Sequence, residues 1–124
     1  MSRILLVDDD EDFRRMLYKV LEKAGHEVRD AANGKAALEL YRQEPGDLII
    51  TDLVMPVKEG LESIREFRRL NPSVKIIAIS GGGRMDPRLN LVIAQHFGAR
   101  QTLAKPFSNQ EILDAVALVL GDVS

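Results

Sequence analysis

The sequence predicts a doubly wound α/β domain: a five-stranded parallel sheet with helices on both faces. Two observations carry the prediction. Five short apolar segments alternate with five stretches of helical periodicity, the rhythm of strands joined by helical crossovers. Four of the five segments are nearly continuous apolar runs, as in strands covered on both sides, and the other is amphipathic, as suits a sheet edge.

The first strand, Ile4–Val7, lies within "RILLVDDDEDFRR" and runs straight into Asp8, Asp9 and Asp10. Behind it Phe13, Met16, Leu17, Val20, Leu21 and Ala24 fall at helical spacing, and Gly25 supplies the stop. "HEVRDA" at His26–Ala31 is the amphipathic second strand, placed at an edge. Residues 34–43 form the second helix, and Leu48–Thr51 is the third strand. Leu61, Ile64 and Phe67 mark a third helix that ends before Asn71-Pro72, ahead of the fourth strand at Val74–Ile79. Asp86-Pro87 has the form of an N-cap followed by a first-turn proline. It opens a fourth helix with the stripe Leu89, Val92, Ile93, Phe97 and the stop Gly98. Thr102–Ala104 is the fifth strand. "SNQE" at Ser108–Glu111 has capping-box spacing and opens a fifth helix with the stripe Ile112, Leu113, Val116, Val119, Leu120.

Composition narrows the function. At 124 residues the chain is long enough for one domain with a sizeable core. A formal net charge of -2 leaves no basic footprint for nucleic acid and no polybasic segment for a membrane. Zero cysteines exclude disulfide scaffolds and thiolate metal sites. The apolar run at the N-terminus is too short for a signal peptide, and none reaches membrane-spanning length. A cytoplasmic protein is expected.

Crossovers in such a sheet are right-handed, so the carboxyl ends of all strands share one edge, where ligands bind. Asp8 and Asp9 follow strand 1, Asp52 follows strand 3, Ser80 ends strand 4 and Lys105 follows strand 5. Three carboxylates, a hydroxyl and an amine therefore converge from distant parts of the chain. This accounts for the aspartate run: Asp8 and Asp9 belong to a charged site, and Asp10 is the N-cap. Carboxylates without Cys or His suit a hard cation such as Mg²⁺, which relieves their repulsion and favours phosphate as a further ligand. One carboxylate can then attack phosphorus to give an aspartyl phosphate, with Lys105 and Ser80 on the phosphoryl oxygens.

With these residues in place, the sequence resembles the receiver domain of two-component response regulators over essentially its whole length. The matching motifs are "VDD" at 7–9, "DLVMP" at 52–56, "IAIS" at 77–80 and "KPF" at 105–107. The expected sheet order is 2-1-3-4-5, the flavodoxin-like arrangement. The resemblance implies that Asp52 accepts phosphate from a histidine kinase or a histidine phosphotransfer protein. It implies direct Mg²⁺ ligation by Asp9, Asp52 and the Val54 carbonyl, with Asp8 assisting through water. It makes Ser80 and Lys105 the phosphoryl-sensing pair and places a cis bond at Lys105-Pro106. Residues 1–124 are expected to form a stand-alone receiver with no output domain, docking a partner at the face of the fourth helix, fifth strand and fifth helix. Leu91 and Leu118 lie off the buried stripes of those helices.

"SGGGRMD" at 80–86 fails the dinucleotide fingerprint, because Asp86 stands where the third glycine belongs, and it lacks a Walker lysine. A haloacid-dehalogenase-like phosphohydrolase also places Asp after strand 1, but expects Thr or Val where this chain has Asp12, and a late acidic motif. A degenerate receiver acting as a passive interaction module would lack site residues that are all present here. His26 and His96 sit off the strand ends and are assigned no chemistry. Two departures from the family bear on signalling. Thr102 stands where an inward-swinging Tyr or Phe is common, and Gly81–Gly83 replace a bulkier loop start.

Overall fold

A computed structural model of the chain describes residues 2–52, 57–80 and 98–121. The strands are β1 (Arg3–Val7), β2 (Glu27–Ala31), β3 (Leu48–Asp52), β4 (Ile76–Ser80) and β5 (Gln101–Ala104). The described helices are α1 (Glu11–Lys23), α2 (Gly34–Gln43), α3 (Val57–Leu70) and α4 (Asn109–Leu120). The strands form one sheet in the order β2-β1-β3-β4-β5, with every pairing parallel. The fold class and strand order are those expected. Among the described residues there are four helices; the helix expected over 86–97, with Leu89, Leu91, Val92, Ile93 and Phe97, lies outside them.

Because side chains alternate across a pleated strand, β1 sends Leu5 and Val7 to one face and Ile4 and Leu6 to the other. Leu5, Val7, Ile49, Ile76 and Ala78 pack with Ala37 and Tyr41 of α2 and with Ile64 and Phe67 of α3. Ile4, Leu6, Leu48, Ile50, Ile77 and Ile79 pack with Leu17 and Leu21 of α1 and with Ile112, Ala115, Val116 and Val119 of α4. Both faces of the central strands are thus covered, which is why their sequences read as unbroken apolar runs. β2, at the edge, buries only Val28 and Ala31.

Local signals fix the helix ends. Asp10 caps α1, its side chain accepting from the Phe13 N–H. Asn33 caps α2 in the same way through the Ala36 N–H. Ser108 and Glu111 form the expected capping box on α4. Gly25 follows α1 with φ +96°, a conformation that side chains resist. Among the described residues no helix is long and apolar enough to cross a membrane.

Two stripes are narrower than their periodicity predicts. In α1, Met16 is 50% exposed and Ala24 is exposed at the C-cap, while Leu17 and Leu21 carry the burial. The reason is that Met16, Val20 and Ala24 line an open groove between α1 and α4, opposite Asn109 and Leu113. In α4, Leu113 and Leu120 are half-buried, and Ala115 takes an interior position. In α3, Ile64 and Phe67 are buried as expected, whereas the Leu61 side chain lies outside the described ones.

Among the described residues Phe67 is the largest fully buried side chain, and its ring meets Tyr41 edge-on at 5.4 Å. The Tyr41 hydroxyl accepts from Asn71 at 3.1 Å, which ties the end of α3 back to α2. Phe67→Ala should therefore cost about 3–5 kcal/mol by transfer and cavity formation. A urea unfolding curve should show a lowered midpoint with an unchanged slope.

Candidate functional site

Asp8 and Asp9 directly follow β1, Asp52 closes β3, Ser80 closes β4, and Lys105 follows β5. In the parallel register Asp52 lies opposite Ile79, and Ser80 opposite Ala104, so these groups stand side by side along the carboxyl edge. The convergence read from the strand ends is realised in space. One oxygen from each of Asp8, Asp9 and Asp52 lies within 4.8 Å of the others. The Lys105 ammonium reaches into the same cluster, 3.2 Å from Asp52 Oδ2 and 3.5 Å from Asp8 Oδ2. Val54, which the resemblance implies as a backbone ligand, and Gly81–Gly83 lie outside the described residues.

The three aspartates of the run have three different environments. Asp8 is buried, with 3% of its surface exposed. Its N–H donates to the Ala31 carbonyl at 3.1 Å, its Oδ1 accepts from the Asp10 N–H at 2.8 Å, and its carbonyl accepts from Arg14 at 2.6 Å. Arg14 is itself held by Asp30 at 2.8 Å, so a guanidinium bridges the ends of β1 and β2 behind the site. Asp9 is exposed, with a carboxylate oxygen still in the cluster. Asp10 is the helix cap, accepting from the Phe13 N–H at 3.1 Å. One aspartate is desolvated, one is open to solvent, and one serves the helix.

Burial pushes the Asp8 carboxyl up from 3.8 to about 6. The Asp10 N–H works against that rise, the Asp52 charge and a hydrogen bond with Asp52 add to it, and Lys105 opposes it. The cluster thus gathers three carboxylates against one lysine. Its donor set is all oxygen, which suits a hard divalent ion.

Lys105 is fixed by its backbone as well as its ammonium. Its N–H donates to the Ser80 carbonyl at 2.7 Å, and the Lys105-Pro106 bond is cis, as the resemblance implied. Ser80 is 2% exposed, at the end of the interior strand β4.

Sequence reasoning missed two contributors. Phe13, in the apolar stripe of the first helix, is half-buried and packs against the core as that stripe predicts, but its ring also lies under Lys105, with Nζ 3.8 Å from the centroid. Phe107 meets that ring edge-on at 5.8 Å and 87°. The available signal was position: a first-turn residue points back past its own helix start, toward the strand ends. Arg14 had no signal in the pattern. His26 precedes β2, away from this edge, and His96 lies outside the described residues.

A family model for the response regulator receiver domain matches residues 4–117. The response regulator receiver protein CpdR of Brucella abortus is 47% identical over 81 residues, covering 65% of this chain and 68% of its own. The chemotaxis protein CheY of Thermotoga maritima is 34% identical over 116 residues, covering 93% of this chain and 94% of its own. The crystal structure of NtrX from Brucella abortus superposes with a TM-score of 0.89 at 27% identity, covering 98% of this chain but only 27% of that longer one.

Proposed function

Since the chain belongs to the receiver-domain family of two-component response regulators, we propose that it accepts a phosphoryl group on Asp52 from a phosphohistidine, carried by a histidine kinase or a histidine phosphotransfer protein. The observation that carries this reading is the placement of one ammonium against two of three clustered carboxylates: Lys105 Nζ is 3.2 Å from Asp52 and 3.5 Å from Asp8. That arrangement provides a nucleophile and a cationic partner for the incoming phosphoryl oxygens in one place.

Asp9 and Asp52, with the Val54 carbonyl, would hold Mg²⁺, and Asp8 would assist through water. The bound ion supplies positive charge that offsets the carboxylates and the phosphoryl oxygens. The Asp52 carboxylate attacks phosphorus; a P–O bond forms, the N–P bond of the donor breaks, and the imidazole leaves with the electron pair. Lys105 shifts from the Asp52 carboxylate to a phosphoryl oxygen. The Ser80 hydroxyl donates to another. Each of these two ends or follows a strand, so phosphorylation pulls on the ends of β4 and β5.

Readout follows from that pull. The partner face is the fourth helix expected over 86–97, together with β5 and α4, where Leu118 is 57% exposed. Thr102, half-buried on β5, occupies the place of the usual aromatic, so the signal passes through Ser80 and the backbone beside it rather than through a swinging ring. The protein acts in the cytoplasm as a signalling domain that assists its own phosphorylation, by docking a target or passing the phosphoryl group on. Asp12 stands, exposed, where the phosphohydrolase alternative expects Thr or Val, which speaks against that alternative.

Incubation with acetyl phosphate tests the reading. Intact mass should show the gain of a single phosphoryl group in Mg²⁺ and none with a chelator. Uptake independent of divalent ion would overturn the proposed role of the carboxylate cluster.

A further inference from the structure

Among the described residues the Lys105 ammonium has three partners: two carboxylates and the face of an aromatic ring. Its Nζ stands 3.8 Å from the Phe13 centroid, well within the ~6 Å over which a ring face attracts a cation. The ring is held in turn. The Asp10 side chain caps the first turn of α1 through the Phe13 N–H at 3.1 Å. Phe107, two residues beyond Lys105, stands edge-on to the same ring at 87°. One short segment, Lys105–Phe107, therefore supplies both the ammonium and the clamp on the ring beneath it.

The three partners behave differently when the site is used. Asp52 becomes an acyl phosphate, and its carboxylate charge passes to the phosphoryl group. Asp8 shares its charge with whatever cation enters the cluster. The Phe13 ring neither titrates nor changes covalently, so its attraction is the constant among the three. A lysine has a flexible four-carbon stem, and its head wanders unless something holds it.

We propose that Phe13 is a positioning residue for phosphoryl transfer, its ring holding the Lys105 ammonium beside Asp52 so that the charge moves only from the carboxylate to the arriving phosphoryl oxygens. The inference rests on the reading of Asp52 as acceptor. It also assigns the third aspartate of the run a part in the chemistry: Asp10 fixes the turn that fixes the ring.

Two substitutions separate the ring face from mere bulk. Phe13→Tyr keeps an aromatic face, and Phe13→Leu keeps apolar volume without one. With acetyl phosphate and Mg²⁺, the Leu variant should react about fivefold slower than the parent protein and the Tyr variant within about twofold of it, the size of a partly desolvated cation–π contact. Combined with Lys105→Ala, whose slower reaction is followed over longer times, Phe13→Leu should add no further loss. Proton NMR of the unphosphorylated protein should show Lys105 methylene signals shifted upfield by the ring in the parent and Tyr proteins, and not in the Leu variant. A Leu variant as fast as the parent overturns the proposal, as does equal slowing with and without Lys105, or an absent ring shift. If the parent protein takes up no phosphoryl group on Asp52, the acceptor reading fails and the proposal with it. A parent that reacts normally while the double-variant losses simply add overturns the role of Phe13 alone.

Discussion

Asp52→Asn should reduce phosphoryl uptake from acetyl phosphate to chemical background, a loss on the order of a thousandfold or more, as expected when the attacking group itself is removed. The amide is nearly the same size as the carboxylate, so the change is electronic. The fold should tolerate it. Asp52 carries no core packing, and Lys105 keeps Asp8 as an anionic partner at 3.5 Å. Removing the Asp52 charge also removes one of the influences that raise the Asp8 carboxyl, while the larger one, burial, stays. Asp8 therefore returns only part of the way toward an ordinary aspartate. The measurement is intact mass after reaction, followed by borohydride reduction of the acyl phosphate and peptide mapping. Label on Asp8 or Asp9 in the variant, or undiminished uptake, would remove Asp52 from the acceptor role. A melting temperature close to that of the parent protein would confirm that the loss is chemical.

The parts of this molecule that could be read from sequence are those governed by short-range periodicity and by topology. Ile4–Val7 and Leu48–Thr51 announce strands because a strand covered on both faces has no polar side to show. The capping spacing of Ser108 and Glu111 announces the start of α4 because it satisfies orphan N–H groups by local geometry alone. The strand-end rule then gathers Asp8, Asp9, Asp52, Ser80 and Lys105 without any knowledge of distance.

Differences between neighbouring residues of one type could not be read. Asp8, Asp9 and Asp10 look alike in the chain, yet one is buried under Arg14 and Ala31, one is exposed and one caps a helix. Those fates depend on backbone directions at the end of a single strand. Met16 and Phe13 are a second case. Both fit the apolar period of α1, but the period says which side of a helix is apolar, not how far the sheet extends beneath it. Phe13 packs against the core and also meets Lys105, while Met16 borders the open groove against α4.

The buried carboxyl of Asp8 should make the effect of Mg²⁺ on stability depend on pH in a definite direction. In the fold Asp8 keeps its proton up to about 6, whereas an unperturbed aspartate loses it near 3.8. The ion-free fold thus gains from this group fully below about pH 4, and loses that gain as pH rises through about 6, by up to about 3 kcal/mol. A divalent cation binds the ionised cluster and offsets the loss, and ligand that binds only the folded state raises its stability. The difference in melting temperature with and without Mg²⁺ should be small near about pH 5 and widen to a plateau above about pH 7, since a proton and the cation compete for the same charge. Carboxylates remote from the cluster meet the same surroundings in both arms, and their contribution cancels in the difference. Asp8→Asn, which keeps an acceptor for the Asp10 N–H but carries no charge, should raise the ion-free melting temperature near about pH 7 and flatten the pH dependence. Calorimetric scans of the two proteins across this range decide the matter. A Mg²⁺ effect in the parent protein as large near about pH 5 as near about pH 7 would mean that Asp8 does not hold its proton in the fold.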